Sequence, residues 1–231
     1  MNYFLHHGPK YVYLLTDNKD LFVNIVLAFV TFLAVIAAFL QEKIRRMFSR
    51  ATLDMEINLI PPDSHQIDIT NSDGSSPRKS IYIRIKVTHI KGAAGENVEI
   101  MPISFNEIDE LGVSTPITYF LPINLVWSHF QPRTNTIRVP VGLFRHCDLG
   151  HVIELRPHNG PVLILDTMVQ PNKISDNRIP NVFHPGKYQF ELLLSGDNVK
   201  VLKKKWEIQI IDWSDTESVM LNNNLIIKEI K

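Results

Sequence analysis

Residues Leu21–Leu40 form a stretch of twenty residues without a charge, closed by Asp20 on one side and Gln41-Glu42-Lys43 on the other. As a helix rising about 1.5 Å per residue, such a run covers the roughly 30 Å hydrocarbon core of a bilayer. Its polar members are Asn24 and Thr31, and either can hydrogen-bond within a helix or to a neighbouring one. A helix buried in a soluble core keeps a polar stripe, and none is visible here. A cleaved signal peptide has a shorter apolar region, a short basic start and a small-x-small cleavage site. Here Asp17 and Asp20 precede the run, and Ala37-Ala38 is followed by Phe39-Leu40. The sequence therefore predicts an uncleaved transmembrane helix over 21–40, with a short tail (1–20) before it and a basic juxtamembrane segment (41–50) after it.

Orientation follows from the basic residues beside the span. Lys10 and Lys19 precede it, whereas Lys43, Arg45, Arg46 and Arg50 crowd the segment that follows. That bias assigns the C-terminal side to the cytoplasm and gives Lys43, Arg45, Arg46 and Arg50 contact with the membrane surface. The single cysteine, Cys147, forms no intramolecular disulfide and fits a reducing compartment. Beyond residue 50 the chain carries 18 basic and 21 acidic residues, a net charge near −3. A general nucleic-acid binder needs a basic surplus to neutralise phosphates, so that class is excluded. Neither Gly-x-x-x-x-Gly-Lys nor Gly-x-Gly-x-x-Gly occurs, and no cofactor is expected.

After Arg50 the hydrophobic period becomes two-fold. Leu53, Met55, Ile57 and Leu59 alternate with Asp54, Glu56 and Asn58 until Pro61-Pro62 stops the strand. SDGSSP (72–77) reads as an exposed loop. Ile81, Ile83, Ile85 and Val87 share one face of a strand over 80–87, with Tyr82, Arg84 and Lys86 on the other. Gly92-Ala93-Ala94-Gly95 then reverses the chain into a strand over 98–105. Further strands are expected at 117–121, 136–139, 152–155 and 162–168. Tyr188, Phe190, Leu192 and Leu194 lead into Ser195-Gly196-Asp197-Asn198, a hairpin turn. The return strand carries Trp206, Ile208 and Ile210 on one face. Val199 and Val201 are out of phase with it, which predicts a bulge near Val201-Leu202. About eight strands with Pro and Gly between them predict a mainly β domain over 51–215, an antiparallel sandwich. Residues 216–231 read as a tail or a last strand.

Gly186-Lys187-Tyr188-Gln189-Phe190 resembles the Gly-x-Tyr-x-Cys stretch of immunoglobulin-like domains, with Phe190 in the cysteine position. Pro185-Gly186 before the tyrosine is similar to fibronectin type III domains. The resemblance implies an immunoglobulin-like sandwich in which Tyr188 bonds back to the backbone as a tyrosine corner and Trp127 is the core tryptophan. It carries no activity. One helix followed by one sandwich also resembles the layout of prokaryotic membrane-anchored proteins.

Candidate chemistry gathers at His146, Cys147, Asp148 and His151, with His158 nearby. Imidazole, thiolate and carboxylate are all zinc ligands, but paired Cys/His spacings are absent. The segment reads as a polar turn holding a buried cysteine; if extended, it would put His146 and Asp148 on one face and Cys147 on the other. No catalytic-cysteine signature surrounds Cys147. Asp109-Glu110, Glu154 and Asp166 read as solvated acids. Lys203 and Lys205 read as an outward charged face, with Lys204 at the rim of Trp206's face. Trp213, beside Asp212 and Asp215, reads as partly exposed. The expectation is a single-pass, membrane-anchored interaction or accessory module whose partners are the lipid bilayer and a protein of unspecified identity. The alternative is a membrane-tethered hydrolase or metal-dependent protein using the His146–His158 region.

Overall fold

The structure is a computed structural model describing residues 10–48, 50–69, 78–154, 160–171 and 179–230. It divides into two units, Met1–Phe48 and Ser49–Lys231. The expected loop at 72–77 and His158 lie outside the described residues.

The described part of the first unit is one helix, α1 (Lys10–Phe48), which extends well beyond the expected span at both ends. Within it, Lys19–Gln41 is long and apolar enough to cross a membrane. The apolar side chains of this segment are exposed. The Thr31 hydroxyl donates to the Leu27 carbonyl at 2.8 Å, so this polar interruption is satisfied within the helix.

The second unit is built from thirteen described strands in two antiparallel sheets. The first sheet contains β1 (Thr52–Ile57), β2 (Ser64–Ile69), β3 (Arg78–Lys91), β6 (Val126–Trp127), β8 (Phe144–Glu154), β9 (Pro161–Leu165) and β10 (Val182–Phe183). Its order is β1-β3-β8-β9-β10, with β2 continuing β1's edge along β3 and β6 pairing β8. The second contains β4 (Gly95–Ile108), β5 (Ser114–Pro116), β7 (Ile137–Val139), β11 (Gly186–Ser195), β12 (Leu202–Ile210) and β13 (Leu225–Ile230). Its order is β13-β12-β11-β4-β5, with β7 also on β4.

Alternation explains how the sheets share one core. Ile81, Ile83, Ile85 and Val87 of β3 are fully buried beside Ile100 of β4, Leu192 of β11 and Ile208 of β12. An aromatic column runs through it, Phe183–Phe105–Phe190–Trp206, with successive centroids 4.1, 5.0 and 5.8 Å apart. The Trp127 indole N–H donates to the carbonyls of Val98 and Asn135, which lets a buried indole stay satisfied. Tyr188 donates its hydroxyl to the His184 carbonyl at 2.9 Å. Lys204 sits at the rim as expected, bonding Asp54, Glu229 and the Met55 carbonyl. Those partners hold its ammonium charged against the pull of burial.

Four expectations are corrected. Residues 117–121 form a turn after β5, closed by the Phe120 amide on the Ile117 carbonyl, not a strand. No bulge occurs at Val201-Leu202: β12 starts at Leu202 and pairs with β11 in unbroken register. Val199 and Val201 belong to the preceding connection, which is why their phase differs. The strand expected over 162–168 ends at Leu165. The segment 146–151 is strand, not turn, because β8 begins at Phe144. After a short helical turn, α2 (Glu217–Val219), and a π turn (Met220–Asn224), the C-terminal segment closes the sheet as β13.

Gly92-Ala93-Ala94 carries the chain from β3 in one sheet to β4 in the other. Gly92 has φ +92°, and a Cβ there would lie 2.1 Å from the Arg50 carbonyl oxygen. Only glycine fits this crossing.

Candidate functional site

The chemistry-bearing residues collect on the outward face of the first sheet, where β3 and β8 pair. Register sets Tyr82 opposite His151, Arg84 opposite Asp148 and Lys86 opposite His146. Strict alternation would place Asp148 and His151, three residues apart, on opposite faces. The register shifts here, with one extra residue on β8 between Asp148 and Gly150, so both reach the outward face. Gly150 is required at this point, since a Cβ would lie 2.3 Å from the Ile164 carbonyl oxygen.

Each histidine has its own carboxylate. His146 Nε2 lies 2.8 Å from Asp63 Oδ1, while the Asn58 amide donates to Asp63 Oδ2 at 2.9 Å. Burial pulls the Asp63 carboxyl up, but the bonds from Asn58 and His146 outweigh it and hold the group below its ordinary range. His151 Nδ1 lies 3.2 and 3.1 Å from the two Asp166 oxygens, with Arg133 Nη2 3.7 Å from the same carboxylate. The Tyr82 ring stacks on His151 at 5.2 Å. Between these pairs, Asp148 accepts from the Ser128 hydroxyl at 2.5 Å and from Arg84 Nε at 3.2 Å. Its carboxyl is nevertheless pushed up, by burial first and by the Asp166 charge second. Burial, aided by Asp166 and Asp148, likewise raises the Tyr82 phenol.

The segment Ser128–Arg133 runs over this face and leaves two hollows. One, of about 570 Å³, is lined by Trp127, His129, Arg133 and Asp148 among others. The second, of about 260 Å³, lies among Ser128, Phe130, Phe144 and His146. Phe144 carries Lys86 Nζ over its ring at 4.9 Å.

Of the sequence-selected residues, His146, Asp148 and His151 thus share a face and are held in three separate pairings. Cys147 is on the opposite face, fully buried, its thiol donating to the Val126 carbonyl at 3.2 Å. Burial pushes that thiol well up, which removes it as a nucleophile. Among the described residues no three His, Cys, Asp or Glu side chains converge on one point. The Ser128 hydroxyl is given to Asp148, not to a histidine. Asp166, read from sequence as solvated, is a buried partner of His151. Sequence reasoning also passed over Asp63, Arg84, Ser128 and Arg133; only Arg84 carried a signal, as a cation on the outward face of a strongly alternating strand. Of the juxtamembrane cations, Lys43, Arg45 and Arg46 lie on the last turns of α1, with side chains outside the described residues. Arg50 is exposed just before β1.

Chemically, the arrangement is a preorganised hydrogen-bonding surface in which every carboxylate already has a cation or donor. Compared with known proteins, the chain matches no family model, and no curated protein matches it in sequence.

Proposed function

We propose that this protein is a single-pass membrane-tethered interaction module presenting an immunoglobulin-like sandwich to the cytoplasm. The observation that carries the reading is a helix with a membrane-length span, uncharged over 21–40, in the same chain as a β unit whose conspicuous polar groups are spent on one another. Two antiparallel sheets around one core, with the Tyr188 hydroxyl on the His184 carbonyl, support the immunoglobulin-like assignment. Tethering confines a weak binder to the membrane surface and raises its effective concentration there. The outward face around Arg84, Asp148 and His151 is the binding surface of choice, since its groups are fixed before a partner arrives.

The test is proximity labelling with the full chain in its own membrane, beside a Leu27→Arg/Val30→Arg variant that breaks the span. A defined set of neighbours should appear with the intact chain and vanish with the variant. Identical neighbours for both, or only chaperones, would remove the tethering reading. The hydrolase or metal-dependent alternative rests on the His151–Asp166 pair beside the larger hollow. It ranks second, because Cys147 is fully buried and, among the described residues, no three His, Cys, Asp or Glu side chains converge.

A further inference from the structure

The chain enters the β unit at one end, and that end carries an unusual surface. The Ala51 amide donates to the Asn198 carbonyl and the Lys200 amide donates to the Ala51 carbonyl, so the entry is pinned to the β11–β12 connection. Gly92 packs on Arg50 from the β3–β4 connection. His89 adds the β7–β8 turn: its Nδ1 accepts from the Gly142 amide at 3.2 Å, and its Nε2 lies 3.0 Å from the Ala93 carbonyl. Three connections and the entry point therefore form one fixed end.

On it, Ile90, Val141, Leu143, Phe144 and Val201 are between 48% and 61% exposed. A folded unit does not ordinarily leave so many large apolar residues uncovered at one end. Beside them stand Arg50, Lys91 and Lys200, all exposed. The acids of the same end are already engaged, Glu96 by Arg138 at 2.8 Å and Asp197 by the Asn97 amide at 2.7 Å. The opposite end differs. There the β4–β5 turn exposes Leu111, 89% accessible, between Asp109-Glu110 and Val113, with no cation in the turn.

We propose that this entry end is a second membrane-contact surface, taking an anionic lipid leaflet with its apolar residues in the interfacial layer and its cations on the headgroups. The inference rests on the membrane reading above and adds to it that the β unit itself binds the bilayer. Covalent reach makes the occupant specific: eight residues lie between Gln41 and Arg50, a span of at most about 30 Å even if extended. Apolar side chains flanked by Lys and Arg are the composition that interfacial binding uses, and acidic flanks oppose it.

The test uses the full chain in vesicles of zwitterionic lipid, with and without anionic lipid. An environment-sensitive fluorophore is placed on Leu143→Cys, on Leu111→Cys and on Phe32→Cys in separate preparations, with shallow nitroxide lipids as quencher for the first two and lipids carrying the nitroxide deep in the acyl chain for the Phe32 probe. Native Cys147 is fully buried and stays unlabelled. The Leu143 probe should be quenched several-fold more than the Leu111 probe, more strongly with anionic lipid and less at high salt. Adding Val141→Asp should release it. Equal, weak quenching at 143 and 111 with a quenched Phe32 probe would overturn this proposal and leave the anchor standing. An unquenched Phe32 probe would overturn the anchor reading and this inference together. Shielding at 143 that scales with protein concentration, not with lipid charge, would assign the surface to a second copy and also overturn it.

Discussion

Asp63 and Asp148 face the same side of one sheet, yet their carboxyl groups are driven in opposite directions. Asp63 is held below its ordinary range because Asn58 and His146 outweigh burial, and Asp148 is raised because burial and Asp166 outweigh Ser128 and Arg84. The linkage signs follow. The lowered Asp63 group stabilises the fold above the unfolded carboxylate value of about 4 and loses that contribution as pH falls through its folded value. The raised Asp148 group favours the folded state below about 4 and loses that contribution as pH rises through its folded value. Urea midpoints of the detergent-solubilised chain, followed by Trp127 and Trp206 fluorescence from pH 2.5 to 8, should separate the two. Asp63→Asn should flatten the acid limb, and Asp148→Asn should flatten the decline above pH 4. Identical profiles for both variants and the parent would show that neither group is perturbed. Little of this was legible at the residue level. Alternation puts His146 and Asp148 on one face and Cys147 on the other if the segment is extended. Their partners Asp63 and Arg84 lie 83 and 64 residues away, and no local pattern encodes that register.

At the scale of elements, hydrophobic alternation carried β3, β11 and β12, because each buries one face against the core and exposes the other. It failed where pairing geometry, not burial, sets the structure. The break between β3 and β4 reads as a reversal, but nothing local says that the next strand joins the other sheet. Residues 117–121 look like a strand because Ile117 and Phe120 are apolar; both instead pack on the core from a turn. The shift in β8 is the most consequential of these silent features, since it alone brings His151 alongside Asp148. Gly150→Ala probes it directly. The added methyl would sit 2.3 Å from the Ile164 carbonyl oxygen, so β8 and β9 must part or the backbone must move. A loss of about 1–3 kcal/mol is expected, the cost of overpacking a fitted site. Amide exchange should rise first along Pro161–Leu165, the strand pushed away. If exchange there stays unchanged while stability falls, the glycine acts through something other than this close approach.

For the whole molecule, the proposed membrane reading turns on which side of the bilayer the β unit occupies. Four cations, Lys43, Arg45, Arg46 and Arg50, follow the span within ten residues, against Lys10 and Lys19 before it. On the proposed membrane reading, translocating the richer flank is disfavoured, so the β unit is expected on the cytoplasmic side. The single cysteine makes this testable with little background, because Cys147 is buried and its thiol stays protonated. Leu111→Cys supplies an exposed thiol on a turn far from the entry end. In intact cells a membrane-impermeant maleimide should leave Leu111→Cys unmodified, and permeabilised cells should label it fully. Moving the cations, with Lys43, Arg45 and Arg46 changed to Gln and Asn2 and Asn18 changed to Lys, should invert the result. Labelling of the parent Leu111→Cys chain in intact cells would place the β unit outside. The interfacial surface at Leu143 would then meet the outer leaflet, where its cations would find a different headgroup population.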